Sequence, residues 1–283
     1  MTENWRPSCS VDALHARAEL LTIIRSFFSD RDVLEVQTAV LASHTVTDVE
    51  IESMAVGNFG YLQTSPEYQL KRLLAAGAPS IYQLGPVFRA GEAGRLHNPE
   101  FHLLEWYRLD FDDSRLMAEV VELVDAVLGA GEYHTVTYSE LVPDLDRPRH
   151  ELDLAFAQAV DGLGSGRFFI TRYPADQAAL ARLHVDDPGF AARFELVVDG
   201  VELANGYHEL SDPEEQRRRF ACDVEQRRIR SLVEPDVDEK FLAGLDHGLP
   251  DCAGVALGVD RLLMLRTGAA SLSEVLPFPS DLA

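Results

Sequence analysis

Residues 88–111 read "FRAGEAGRLHNPEFHLLEWYRLDF". An apolar run ends in Arg89, a glycine-bearing loop follows, and the chain resumes as a long aromatic and apolar strand. A guanidinium is a planar fork of donors with an effectively permanent charge, suited to binding carboxylate or phosphate oxygens in pairs. At a strand end before a mobile loop, Arg89 is placed to grip an anionic ligand that the loop then covers. The plain alternative is an ion pair with one of the chain's many carboxylates. Asn98 precedes Pro99 and is thereby restricted towards extended geometry, so "HNPEF" at 97–101 reads as a turn that restarts the strand. Phe101 then either stacks on a planar ring at the loop edge or fills the core of an ordinary hairpin. Glu100, Glu105 and Tyr107 stand out as polar groups among residues that look buried.

Working outward, the segment from Asp12 to Asp30 carries Leu14, Leu21, Ile24 and Phe28 near helical spacing, with Ser10 as a cap. "VLEVQ" at 33–37, "DVEIESM" and "FGYLQ" read as short strands, and "TSPEYQLKRLLAAG" at 64–77 as a helix. A helix is expected at 113–129, a looser connector at 131–166, a strand in "RFFITRYP" and a short helix at 175–183. Asp199-Gly200 lies between two alternating apolar runs, a strong hairpin signal. Charged helices follow at 212–231 and near 237–247, and "GVALGVDRLLMLRTG" leads through glycines into an apolar helix. Hairpin-paired strands with helices collected around them predict one α+β domain over residues 1–283, with a mostly antiparallel sheet. Strict strand–helix alternation is missing, which argues against a doubly wound dinucleotide fold.

Composition narrows the function classes. The chain has 283 residues, 46% hydrophobic and 25% charged, with a net charge of −22. That is an ordinary globular balance, but it disfavours a broad grip on nucleic acid, which needs a basic surface. Of 25 basic residues only Lys71 and Lys240 are lysine. Cys9, Cys222 and Cys252 are odd in number and far apart, which argues against a disulfide framework or a zinc site. No stretch reaches membrane-span length and the start has no signal-peptide pattern, so a cytoplasmic protein is expected.

Three further stretches carry chemistry. In "TSPE", Glu67 at a helix start either completes a capping box or binds a substrate ammonium. Glu202 and Glu209 in "VELANGYHEL" are a candidate magnesium pair, since that ion prefers hard oxygen ligands. Seven residues apart in a regular strand they face opposite sides, unless Asn205-Gly206 supplies a bulge. In "ALGVDR", Gly258 permits close backbone approach and Arg261 opens an apolar helix, a natural polyphosphate site; the alternative is an ordinary capped core helix.

The order and content of these stretches resemble the class II aminoacyl-tRNA synthetase catalytic domain, in its lysine branch. "FFSDRDVLEVQTAVL" is similar to motif 1, "FRAGEAGRLHNPEFHLLEW" to motif 2 and "GVALGVDRLLML" to motif 3. "TSPEYQLKRLL" and "VELANGYHEL" match lysine-branch segments, and the likeness spans roughly residues 12–278. "GRLHNPEFHLLEWY", "ELANGYHEL" and "DCAGVALGVDR" resemble most the elongation factor P–(R)-β-lysine ligase family, which lacks the anticodon-binding barrel. The chain starts almost directly at the helix before motif 1, with no room for that domain of ~100 residues.

The resemblance implies ATP-dependent activation of lysine or (R)-β-lysine as an adenylate, then transfer to a lysine of elongation factor P, with tRNA not a partner. It implies that Arg89 holds the α-phosphate and the amino-acid carboxylate, with Ala90, Gly91, Glu92, Asn98, Phe101, Glu202, Leu203, Gly258 and Arg261 around ATP and Arg261 on its distal phosphate. Magnesium would lie on Glu202 and Glu209. Ser65, Pro66 and Glu67 would line the amino-acid pocket, Tyr107 and Glu209 would engage its amino groups, and Ala256 would reshape its floor where tRNA-charging relatives have glycine. Three departures stand beside this. The motif 2 pattern Arg-x-Glu has Gly91 in place of glutamate, with Glu92 one position later. Motif 1 has Ala39 at its usual proline, which bears on the homodimer that motif 1 builds. The 131–166 connector is short. Two rivals remain: a truncated lysyl-tRNA synthetase-like enzyme, and a non-catalytic paralogue that binds an amino acid or adenylate.

Overall fold

A computed structural model of the chain describes residues 5–283. The chain forms two compact units: Met1–Tyr107 with Ser211–Pro250 and Gly258–Ala283, and Arg108–Leu210 with Asp251–Leu257.

The first unit begins with α1 (Val11–Ser29), whose Ser10 cap accepts the Ala13 N–H at 3.1 Å. Its buried stripe is Ala13, Leu20, Ile24, Phe27 and Phe28. Leu14, expected in that stripe, is exposed. Strand β1 (Leu34–Glu35) pairs in parallel with β5 (Ile81–Phe88), and β5 runs antiparallel to β6 (Glu100–Leu109), with Gln83 opposite Glu105. Phe28 stacks on Tyr82 at 4.4 Å and meets Trp106 edge-on at 5.3 Å. Side chains alternate across a strand. The face bearing Tyr82, Leu104 and Trp106 therefore packs on α1, which leaves Phe101, Leu103, Glu105 and Tyr107 on the other. Burying each such aromatic contributes roughly 1.5–3 kcal/mol.

A small sheet holds β2 (Leu41–Ala42), β3 (Ala55–Val56) and β4 (Gly60–Leu62), with β4 central. Gly60 is required there: a Cβ would lie 2.1 Å from the Ala42 carbonyl oxygen. "DVEIESM", expected as a strand, forms none over 48–54. Helix α2 (Glu67–Ala75) follows.

In the second unit, α3 (Asp113–Leu128) is capped by Asp112, and the expected loose connector is folded as β7 (Tyr133–Thr137), α4 (Tyr138–Leu141) and α5 (Arg149–Gly162). Strands β8 (Arg167–Pro174), β9 (Phe190–Val198), β10 (Val201–His208) and β11 (Cys252–Gly258) complete a sheet of order β11-β10-β9-β8-β7, antiparallel except for β7 on β8. The helix expected at 175–183 is one 3-10 turn, Ala175–Gln177. Asp199 (φ 50°) and Gly200 (φ 75°) make the β9–β10 turn, the two left-handed central residues that suit a twisted hairpin.

Returning to the first unit, α6 (Pro213–Ile229) is capped by Asp212, and α7 (Glu239–Gly248) packs on α2 through Tyr68 stacked on Phe241 at 4.4 Å. Helix α8 (Val259–Thr267) follows β11 and stops at left-handed Gly268. Buried Asp260 of α8 accepts from Arg17 of α1 and from the His102 N–H at 2.8 Å, joining three elements. All three cysteines are free. Among the described residues no helix is long and apolar enough to cross a membrane.

Candidate active site

In the first unit, β6 and the start of α2 build a polar cluster beneath apolar surroundings. Glu105 is 3% exposed; it accepts from the Ser65 hydroxyl at 2.7 Å and from the Tyr107 hydroxyl at 2.8 Å. Burial pushes its carboxyl up to about 7, the nearby Glu67 charge adds to this, and the two hydroxyls and Lys71 pull the other way. Glu67 takes Lys71 Nζ at 2.6 Å. The capping-box reading of "TSPE" does not hold: Pro66 is the N-cap with no side-chain bond, and the Ser65 oxygen takes the Glu67 N–H at 3.0 Å. Ser65, Glu67 and Tyr107 are thus brought together around Glu105, a residue the sequence flagged as out of place without giving it a role. A charged carboxylate this deeply buried is costly unless a cation meets it.

Arg89 lies just past β5. Its N–H donates to the Pro99 carbonyl at 2.9 Å, its Nε to the Thr64 carbonyl at 3.4 Å, and its guanidinium carbon sits 5.1 Å over the Phe101 ring. Glu92 turns back to it at 3.6 Å, so both the anion-gripping and the ion-pair readings have a structural basis. Ala90 donates its N–H to the Glu52 carbonyl at 2.8 Å, and Gly91 adopts φ 75°.

The loop is tied rather than loose. Gly94 and His97 bridge, Arg95 is bonded to Ala270 and Leu272, and Arg261 donates to the Leu96 carbonyl at 3.2 Å and to His97 Nε2 at 2.8 Å. Asn98 is buried, with its amide donating to the Glu100 carbonyl and accepting from the Ser280 N–H, so both ends of that side chain hold the loop. Gly258 caps α8; a methyl there would meet nothing closer than 3.5 Å, at Arg261, so packing within the chain does not demand glycine.

In the second unit, one face of the sheet collects the remaining candidates. Asn205 pairs with Glu195 on β9 and with Ala256 on β11, so the three share a face, and Tyr207 and Glu209 follow Asn205 on it by alternation. Glu202 pairs with Val197 and Ala204 with Leu196, so the bulge falls at Leu203, not at Asn205-Gly206, which pair regularly. That bulge does bring Glu202 onto the face of Glu209. Leu203 itself is buried. Glu209 lies just past the end of β10 and is buried, while Glu202 is exposed.

Glu195 sits diagonally across the strand pair from Glu202, a separation of roughly 7–8 Å between Cα atoms. Burial raises the proton affinity of Glu195, Arg193 lowers it, and the Glu202 charge raises it further. Arg193 holds Glu195 at 2.6 Å and Asn205 donates to it at 3.2 Å. Among the described residues no three His, Cys, Asp or Glu side chains cluster to hold a metal alone.

The first unit thus holds Arg89 beside a ring and a buried carboxylate bonded by two hydroxyls, and the second holds Glu195 and Glu202 on one face of an antiparallel sheet. The family model of class II tRNA synthetases (D, K and N) matches residues 4–282, both units included. The chain is 44% identical to the elongation factor P–(R)-β-lysine ligase of Edwardsiella ictaluri (strain 93-146), over 99% of this chain and 98% of that protein. It is 42% identical to the ligase of that name from Hamiltonella defensa, with the same coverage, and 40% identical to that of Vibrio cholerae, over 98% of each chain. The chain belongs to the elongation factor P–(R)-β-lysine ligase family of class II synthetases.

Proposed function

We propose that this protein activates lysine or (R)-β-lysine with ATP and transfers it to a lysine side chain of elongation factor P. The observation that carries the reading is Glu105: a buried carboxylate, held from two sides by hydroxyls, whose ionisation is relieved by an ammonium group. Relatives bearing that ligase name, aligned over 99% of this chain and 98% of their own, support it. Ser65 and Tyr107 would fix the orientation of Glu105; Ser65, Pro66 and Glu67 would line the amino-acid pocket, and Tyr107 and Glu209 would engage its amino groups. Arg89 would hold the substrate carboxylate against the α-phosphate, with Phe101 behind it and Arg261 on the distal phosphate. Attack of the carboxylate on that phosphorus gives the aminoacyl-adenylate and pyrophosphate. Catalysis then rests on positioning and on charge, with no covalent enzyme intermediate.

Glu202 and Glu209 would seat magnesium, whose charge offsets that of the leaving pyrophosphate. Asn98, Leu203, Gly258 and Ala256 are assigned to the pocket walls, the first by holding the motif 2 loop. The homodimer and the cytoplasmic setting belong to this reading, as does the exclusion of tRNA. The test is pyrophosphate exchange with lysine and with (R)-β-lysine, then transfer to purified elongation factor P or to tRNA. Exchange followed by transfer to the protein is expected. Transfer to tRNA alone would replace the reading with a truncated tRNA ligase, and no exchange with any amino acid would favour a non-catalytic paralogue.

A further inference from the structure

Segment 47–54 has no strand or helix of its own, yet its backbone is held firmly, and one side chain does most of the holding. Arg227, in the last turn of α6 and 6% exposed, donates Nε to the Thr47 carbonyl at 3.0 Å and Nη2 to the carbonyls of Asp48 at 2.7 Å and Ile51 at 2.6 Å. Its Nη1 donates to the Val233 carbonyl at 2.9 Å. One turn earlier on the helix, Asp223 accepts from the Thr47 hydroxyl at 2.8 Å. A guanidinium spread over four carbonyls is a rigid, pre-organised clamp, which a lysine with one point charge cannot reproduce. Buried backbone groups outside regular structure need such partners.

The clamped segment ends at Glu52. Its carbonyl accepts the Ala90 N–H at 2.8 Å, one residue beyond Arg89, and its carboxylate reaches to 3.7 Å from where a side chain at Gly91 would begin. Two residues on, Met54 is fixed by the Leu62 N–H at 3.0 Å. The chain of bonds therefore runs from α6 through Thr47, Ile51 and Glu52 to the root of the Arg89 loop. None of these bonds touches Ser65, Glu105 or Tyr107.

We infer that Arg227 is a positioning residue for nucleotide binding: it fastens segment 47–52, which in turn fixes the backbone beside Arg89. The inference rests on the reading that Arg89 binds ATP. Misplacing a binding group by ~1 Å can cost up to about 10²-fold; a loosened but present Arg89 should lose less. Arg227→Lys should raise the KM for ATP in pyrophosphate exchange by about tenfold and leave the amino-acid KM within about twofold. Hydrogen exchange at the Ala90 amide should quicken, while the Tyr107 amide, on β6, keeps its protection.

If Arg227→Lys does not fold, Asp223→Ala, which removes the acceptor of the Thr47 hydroxyl on α6, should give the same split at smaller size. A folded variant with unchanged ATP KM and unchanged Ala90 exchange overturns the inference. So does an equal rise in both KM values with exchange quickened throughout the unit, since that is general loosening. The amide measurement needs no activity, so a wild type inert with ATP refutes the reading of Arg89 while exchange still decides whether the clamp acts on Ala90.

Discussion

Glu105 concentrates the chemistry of the first unit at a single side chain. Its folded carboxyl is raised to about 7, so between its ordinary value and that pH the native state holds a proton the unfolded chain has lost. Its contribution to stability is therefore complete below pH ~4.5 and is lost as pH rises through ~7. An ammonium ligand prefers the ionised form, so the amino-acid KM should fall as pH rises from 6 to 8, with that step absent in Glu105→Gln. The same variant should weaken amino-acid binding by about 2–4 kcal/mol, roughly 30- to 1,000-fold, while leaving the KM for ATP nearly unchanged. At Arg89, lysine keeps the charge and loses the fork, so Arg89→Lys should lower kcat by about 10²-fold. These residues were unequally legible. A lone acid in a continuous apolar and aromatic run is visible in "HLLEWY", but its hydroxyl partner Ser65 is 40 residues away. Nothing in local spacing joins the two.

At the level of elements, the hairpins and the longer helices followed from local chemistry. Ser10, Asp112 and Asp212 each cap the helix they precede, and Asp199-Gly200 turns β9 into β10. The bulge did not follow, because its position is set by pairing with β9 rather than by the glycine nearby. Gly206 has a different purpose: a Cβ there would lie 2.4 Å from the Phe194 ring. Gly206→Ala should cost about 1–3 kcal/mol, seen as a lower urea midpoint with unchanged slope. Segment 48–54 was misread as a strand because its alternation is real, but side-chain clamping from α6 replaces a partner strand. The 131–166 stretch was misread as loose because α4 is a single turn and α5, though 14 residues long, has low apolar contrast; the two are fixed by aromatic packing such as Tyr138 on Phe156 at 4.8 Å.

For the molecule as a whole, the −22 charge sets the electrostatic background. Arginines answer many of the acids at the surface, for example Arg217 with Asp246 and Arg218 with Glu215. Exposed pairs contribute roughly 0–1 kcal/mol each, and salt weakens them, whereas it relieves the general repulsion among like charges. Raising sodium chloride from low to moderate concentration should therefore raise the melting temperature in scanning calorimetry. A fall would mean that the pairs outweigh the repulsion. The arginine bias has another consequence. Acyl-adenylates escape and acylate whatever free amines they meet, and guanidinium groups, protonated at any physiological pH, are poor nucleophiles. Lys71 is sealed at 1% exposure against Glu67, which leaves Lys240 as the one accessible side-chain amine in the sequence. An enzyme that hands activated acyl groups to another protein's lysine would thus present little bait of its own. Mass spectrometry after turnover without acceptor should find adducts at Lys240 and none at Lys71.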